Sequence, residues 1–228
     1  MVKKYDIEFV EATSPITEPV TKFGGQPVWL EEPQWPLSRE LGEQMQFVCQ
    51  IALDPELLGV PSGRMAYLFI TGESEDEWVD GTYDPDGGEN AVIMQPGGKN
   101  DAETVAEAEG PSLYTFVNVR DWGEGFVPCE YAVELTSGED PEYVSEDERA
   151  EWSDEDYDAY CDALVGNKIG GTPVFIQSDE FPKGGPWRLL LQLDSMTVPF
   201  HVNFGDAGVG YAYISEDGES GKFLWQCY

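Results

Sequence analysis

The sequence predicts a β-rich α+β fold: a single compact body of two pseudo-repeated β-sheet halves with few helices. Three observations lead to this prediction. First, 41% of the 228 residues are hydrophobic and 13% are aromatic, which is enough apolar side chain to fill a core. Second, most apolar runs are short, rich in β-branched or aromatic residues, and bounded by Gly or Pro, as strands are. Third, one block of sequence occurs twice.

The repeated block spans residues 22–36 and residues 168–182, which align without a gap. Both copies have Lys, two Gly, Pro, Val and a final Pro at the same positions, and four other positions exchange similar apolar residues. Two shorter matches follow in the same order, residues 47–54 with 189–194 and residues 65–70 with 209–214. Because three matches in one order are hard to obtain by chance, we interpret the chain as an internal duplication.

These matches predict one domain over residues 1–228, with a first half-repeat at about 16–136 and a second at about 167–228. Between the halves lies an acidic connector at about 139–166, in which residues 139–158 contain eleven acids and a single base. Two capping patterns that begin with Ser and an apolar stripe at helical spacing predict that the connector is helical.

Each copy of the block opens with a predicted turn, whose key residues are Gly24, Gly25 and Pro27 in one copy and Gly170, Gly171 and Pro173 in the other. Glycine adopts φ > 0 freely, and proline extends the residue before it. The apolar runs at residues 28–30 and 174–176 are predicted to be buried strands. Gln50 and Gln192 lie in the next predicted strands. We expect both amides to be hydrogen-bonded braces, since an unpaired buried amide costs about 1–3 kcal/mol.

The chain carries 45 Asp and Glu against 12 Lys and Arg, a formal net charge of −33. Nucleic acids and anionic membranes are bound by basic surfaces, so we expect neither as a partner. A basic protein is the partner class that the charge favours, because complementary charge accelerates association. Adaptation to a salty habitat produces the same excess of acids, and the sequence leaves both explanations open.

Metal and cofactor chemistry has few candidate ligands. Cys49, Cys129, Cys161 and Cys227 are far apart and His201 is the single histidine, so we expect no metal site and no cofactor. The first residues lack the apolar run of a signal peptide, and no stretch approaches the roughly 20 apolar residues that span a membrane. We therefore expect a cytoplasmic protein with reduced thiols. The sequence indicates no oligomeric state.

Several blocks carry a family resemblance: the Lys-x-Gly-Gly-x-Pro-Val-aromatic motif, the Trp35–Pro36 pair, and residues 47–51, 89–98, 204–206 and 226–227. Together they resemble the YwqG-like family, a bacterial domain family without a known function. The wider group is similar to eukaryotic programmed cell death protein 2, a chaperone for a newly made ribosomal protein. The resemblance implies a β-rich fold and a role in protein binding. This sequence lacks the zinc-binding Cys clusters of the eukaryotic relatives.

The acidic connector is the predicted partner-binding segment. Its carboxylates suit a cationic protein. Its aromatic residues Tyr143, Trp152 and Tyr157 are candidate anchors, because Trp and Tyr are frequent at interface hot spots. The predicted binding residues are Glu146, Asp147, Glu148, Trp152, Asp154, Glu155, Asp156 and Tyr157. The function that follows is chaperone-like or immunity-like sequestration of a basic protein, without enzymatic activity.

The alternative hypothesis is a metal-assisted or carboxylate-based hydrolase that uses the cleft between the two halves. His201 and Asp206 are its candidate catalytic residues, because a His–Asp pair can perform general acid–base chemistry, and Asp84 is a third candidate. No nucleophile is fixed near them in the sequence. We therefore expect His201 to be a structural or interface residue, and the sequence favours a binding protein over an enzyme.

Overall fold

A computed structural model describes residues 1–72, 79–119 and 123–228. The strands in chain order are β1 (Val2–Glu11), β2 (Lys22–Gly24), β3 (Trp35–Pro36), β4 (Gln46–Ala52), β5 (Met65–Ile70), β6 (Asn90–Gln95), β7 (Thr104–Val105), β8 (Tyr114–Val119), β9 (Gly123–Pro128), β10 (Glu130–Asp140), β11 (Lys168–Gly170), β12 (Trp187–Asp194), β13 (Val209–Ser215) and β14 (Gly221–Gln226). The helices are α1 (Pro55–Leu58), α2 (Glu146–Arg149) and α3 (Asp154–Leu164). Strands therefore dominate, as the sequence predicts.

Ten of the strands form one antiparallel sheet in the order β14-β13-β12-β11-β1-β10-β2-β4-β5-β6. From the central pair outward, β11 to β14 on one side correspond to β2, β4, β5 and β6 on the other. The sheet curls until its edge strands meet: a Cβ atom placed on Gly221 of β14 would lie 2.3 Å from Val92 Cγ1 of β6. The Lys99 N–H also donates to the Glu219 carbonyl at 2.7 Å. The sheet is therefore nearly closed.

The central pair, β1 and β10, joins the two halves. The strands pair antiparallel from Val2 opposite Asp140 to Glu11 opposite Tyr131. The repeated block does not predict β1, which lies outside both half-repeats. β10 continues to Asp140, two residues into the predicted connector, and so carries the chain from the first half to the second.

Buried side chains form three clusters. The largest includes Phe23 from the first half and Leu191 and Phe204 from the second, so both halves share it. A second cluster surrounds Trp35, and a third surrounds Tyr211. Because burial of shared apolar surface is the main favourable term in folding, the halves form one compact body, and the predicted fold class is confirmed.

The strands predicted at residues 28–30 and 174–176 are wrong, since neither segment belongs to a sheet. Both segments are instead held by side chains that reach out of the sheet. The Val28 N–H donates to Gln50 Oε1 at 2.7 Å, and the Val174 N–H donates to Gln192 Oε1 at 3.0 Å. The prediction that both glutamines are hydrogen-bonded braces is confirmed. Their amides replace the ladder that strand pairing would supply.

Helices are few and short. The longest that the structure describes is α3, with eleven residues. Within the described part of the chain, no helix combines the length and the apolar character needed to cross a membrane.

Candidate functional site

The acidic connector folds into two helices, each of which begins at a serine. Ser145 Oγ accepts the Glu148 N–H at 3.4 Å, and the Glu148 side chain bonds back, which completes a capping box. Ser153 Oγ accepts the Asp156 N–H at 3.2 Å. Carboxylates in a first turn also favour the positive end of the helix dipole. Local sequence therefore fixes where α2 and α3 begin.

The predicted binding carboxylates lie on the surface of these helices: Glu146, Asp147, Glu148, Asp154, Glu155 and Asp156 are all exposed. Among the described residues, none of the six forms an ion pair. Asp154, Asp158 and Asp162 repeat every four residues along α3, so like charges lie above one another on one face. The connector therefore presents a concentrated negative surface.

Arg149 is the only base among residues 139–158, and it does not neutralise this surface. Its side chain is 8% exposed and pairs with Asp179, while its Nε–H donates to the Val144 carbonyl at 2.9 Å. The guanidinium also lies 5.7 Å and 5.8 Å from the ring centres of Tyr157 and Tyr160. Arg149 thus fastens α2 and α3 to the body.

Asp179 is the acceptor that gathers this corner of the molecule. The Tyr143 hydroxyl donates to it at 2.6 Å, and the Glu146 N–H donates to it at 2.8 Å. Burial by itself raises the pKa of Asp179. Hydrogen bonds from Tyr143 and Arg149 outweigh that effect, so the pKa lies below its ordinary value. Asp179 is therefore a carboxylate that the fold holds ionised.

Aromatic rings border the acidic surface. Trp152 is half-buried, with its ring 5.3 Å from Tyr160, whereas Tyr157 is 40% exposed. Tyr143, also an expected anchor, is 40% exposed, and its ring centre lies 5.2 Å from that of Phe181. Phe181 is equally exposed but lies outside the predicted binding residues. The signal that points to Phe181 is its alignment with Trp35 in the repeated block.

The predicted turn residues occupy equivalent places in the two halves. Gly24 and Gly25 have φ of 68° and 64°, and Gly170 and Gly171 have φ of 72° and 79°. A Cβ atom on Gly25 would lie 2.4 Å from the Glu130 carboxylate, and one on Gly171 would lie 2.3 Å from Asp140 Oδ2. In each half the second glycine makes room for a carboxylate of β10. Pro27 and Pro173 follow the turns.

Each of these carboxylates pairs with the lysine of the repeated block, a role that the sequence did not reveal. Lys168 is fully buried, and its Nζ donates at 2.6 Å to Asp140 Oδ2, the Leu164 carbonyl and the Thr172 carbonyl. Burial lowers the pKa of Lys168 to about 8. Lys22 makes the corresponding contacts with Glu130 and two carbonyls. All three donors of each ammonium are used, so the Lys-x-Gly-Gly motif serves the fold.

His201 packs against the β8–β9 hairpin. Its ring stacks on Tyr114, with centres 5.1 Å apart, and meets Phe116 edge-on at 4.8 Å. The backbone N–H of His201 donates to the Tyr114 carbonyl at 2.8 Å. These contacts attach the segment that contains His201 to the hairpin.

The other candidate catalytic residues also make local contacts. The Asp206 carbonyl accepts the Tyr228 N–H at 3.1 Å, and Asp84 Oδ1 accepts the Asp86 N–H at 2.8 Å, which closes a turn. In the part of the chain that the structure describes, no group of three or more His, Cys, Asp or Glu is placed to hold a metal ion.

A cleft of about 370 Å³ lies at the seam where β6 and β14 approach each other. Its rim carries the cations Arg39, Lys99 and Lys222, and the lining includes neither His201 nor Asp206. Lys222 Nζ lies 2.8 Å from Asp86 Oδ1, and Lys99 pairs with Glu219. The ion pairs cross the seam and connect the first half to the second.

Comparison with known families assigns the chain. The sequence model of a domain of unknown function, DUF1963, matches residues 21–223. The chain belongs to this family. The matched region of the DUF1963 domain begins next to β2 and ends within β14, so it includes both repeated blocks and the acidic connector. No curated protein matches the sequence.

Proposed function

We propose that this DUF1963 domain is a non-enzymatic module that binds a basic protein on the acidic surface of α2 and α3. One observation carries the proposal. The exposed carboxylates of these helices have no cation beside them among the described residues, because the nearby Arg149 is buried against Asp179. A cationic partner would supply the missing charges, and attraction between opposite charges also accelerates encounter.

The arrangement of α3 costs stability in the free protein. Like charges four residues apart destabilise a helix by about 0.2–0.5 kcal/mol per pair, and Asp154, Asp158 and Asp162 form two such pairs. The last turn of α3 also contains no base to interact with the negative end of the helix dipole. A bound cation would relieve both effects, so binding and helix stability would reinforce each other.

The proposal also includes the cellular role of the protein and its origin by internal duplication. Chaperone-like or immunity-like sequestration in the cytoplasm accords with the resemblance to the YwqG-like family. The two halves repeat the same side-chain hydrogen bonds, Gln50 matching Gln192 and Lys22 matching Lys168, which supports an origin by internal duplication.

The alternative, a hydrolase that uses the cleft between the halves, has less support. Lys99 and Lys222 on the rim of the seam are already paired with carboxylates, and neither His201 nor Asp206 lines that cleft. A binding module agrees better with these contacts.

The test is a titration with fluorescent poly-L-lysine at low and high NaCl. In one variant, Asp154, Asp158 and Asp162 are each replaced by Asn. The matched control replaces Glu8, Glu11 and Glu134, which are exposed on the central strands, by Gln and so changes the net charge equally. We expect the α3 variant to bind about tenfold more weakly at low salt, and the control to change affinity less than about threefold.

High salt should weaken binding to the unmodified protein, because mobile ions screen exposed charges. Equal losses in the α3 variant and the control would show that net charge, rather than this surface, attracts the probe. Absence of binding at low salt would refute the proposed function.

A further inference from the structure

A short strand covers part of the first half of the sheet, and among the described residues the second half has no counterpart of it. In the first half, β7 pairs antiparallel with β3, with Val105 opposite Trp35, and the Leu37 N–H donates to the Glu103 carbonyl at 2.8 Å. Gly110 packs so closely on the Trp35 ring that a Cβ atom there would lie 2.8 Å from it. Trp35 is therefore 0% exposed.

In the second half, the repeated block places Phe181 where the first half has Trp35, and Pro182 where it has Pro36. Both prolines are buried, but Phe181 remains 40% exposed. Within the described parts of the chain, no strand pairs with residues 181–182. The N–H of Lys183, the counterpart of Leu37, likewise has no hydrogen-bond partner among the described residues.

Phe181 is packed on one side only. Phe181 contacts the rings of Phe175, Tyr143 and Tyr213, with centres 5.2 Å, 5.2 Å and 5.7 Å away. An extended peptide can add to a backbone edge that has no partner, and the ring of Phe181 lies beside such an edge. Backbone hydrogen bonds then provide affinity, and side-chain pockets provide specificity.

The charges around this edge suit a basic segment. Glu180 precedes Phe181 and is exposed, and Glu146 of α2 lies close by, since its Oε2 accepts the Asp179 N–H at 3.3 Å. Lys183 is the exposed cation on the same segment. A cationic side chain of an incoming segment would therefore lie beside Glu146 and Glu180.

We propose that an extended, Lys- or Arg-bearing segment of the partner lies beside residues 181–182, as β7 lies beside β3. The segment accepts a hydrogen bond from the Lys183 N–H and donates one of its own N–H groups to the Phe181 carbonyl. This inference rests on the proposed function and adds the docking mode and the conformation of the bound segment. An apolar side chain of the segment covers the rings of Phe181 and Tyr143, and its cations face Glu146 and Glu180.

The probe is a fluorescent acetyl-(Val-Lys)₃-amide peptide, and its control is the same peptide with alternate backbone nitrogens methylated. Methylation keeps the charge and removes backbone N–H donors from one edge. Since the partner strand needs both its donors and an extended backbone, we expect the methylated peptide to bind the unmodified protein about tenfold more weakly. Hydrogen exchange at the Lys183 amide should slow when the unmethylated peptide binds.

A second comparison uses protein variants. Phe181→Ser should weaken binding of the unmethylated peptide about tenfold. Phe126→Ser, which alters a 59% exposed ring on the β8–β9 hairpin, should leave the affinity unchanged. The two peptides are compared on the unmodified protein, so that result stands even where Phe181→Ser unfolds.

Equal affinity for the two peptides, or unchanged exchange at Lys183 in the complex, would overturn the strand-addition proposal. If poly-L-lysine still binds through α3 in that case, the proposed function survives without this docking mode. Failure of poly-L-lysine and of both peptides to bind at low salt would overturn both.

Discussion

Replacement of Gln192 by Leu tests whether the side-chain amide of this residue braces the backbone around it. Gln192 Oε1 accepts the Val174 N–H at 3.0 Å, and its Nε2 donates to the Leu164 and Gly166 carbonyls at 3.0 Å each. Leu is similar in size and apolar, so it fills the space. It leaves all three backbone groups without their partner.

The magnitude follows from burial. The bonds to Val174 and Leu164 are buried, and each group left unpaired costs about 1–3 kcal/mol. The bond to Gly166 is partly buried and is worth about 0.5–1 kcal/mol. Removal of the amide itself stabilises the fold by roughly 1 kcal/mol, because a polar group no longer has to leave water on folding. We therefore expect the free energy of unfolding to fall by about 1.5–6 kcal/mol.

The assay is urea unfolding followed by tryptophan fluorescence. Gln50→Leu should cost less, at most about 1 kcal/mol, because Gln50 makes two partly buried bonds, to the Val28 N–H and the Val20 carbonyl. Gln44→Leu is the control: its amide makes one exposed contact at 3.4 Å, and we expect a loss below about 0.5 kcal/mol. If Gln192→Leu unfolds at the same urea concentration as Gln44→Leu, the glutamine is not a brace.

Two further predictions concern a glycine and an acid. Gly171→Ala should destabilise the fold by about 2–4 kcal/mol, because φ is +79° and the new Cβ would lie 2.3 Å from Asp140 Oδ2. Gly42→Ala, with φ of +69° in open space, should cost only about 1–2 kcal/mol; equal melting temperatures would contradict this reasoning. For Asp179, hydrogen bonds overcome the effect of burial and lower the pKa, so its ionised form stabilises the fold above its unfolded pKa of about 4, and this is lost as pH falls through the folded pKa. The difference in unfolding free energy between the unmodified protein and Asp179→Asn should therefore be largest near pH 7 and shrink in acid; a constant difference would refute it.

Local patterns gave the correct conformation where short-range physics decides it. Ser145 and Ser153 begin helices because their side chains accept hydrogen bonds from N–H groups three residues ahead. The apolar runs at residues 28–30 and 174–176 were assigned to strands incorrectly. An apolar run indicates burial, but it does not show whether its backbone pairs with a strand or with side chains such as Gln50.

The candidate site also contains residues that local sequence predicts and one that it does not. The carboxylates predicted for binding are exposed on α2 and α3, and their role in binding stays a prediction. Tyr143 was expected as an aromatic anchor of this surface, but Phe181 was not, since its exposure depends on what lies over it. The same position in the first half holds a fully buried Trp35.

By itself, the sequence determined the net charge, the helix starts and the repeated block, because each is read from composition or from the order of residues along the chain. Only the tertiary structure decided which carboxylate pairs with which lysine. Glu130 and Asp140 occupy opposite ends of β10, and Glu130 pairs with Lys22 across 108 residues of chain. It also decided that β7 covers Trp35, while no strand in the described part of the chain pairs with residues 181–182. Contacts of that kind form only when distant segments meet, so no local pattern records them.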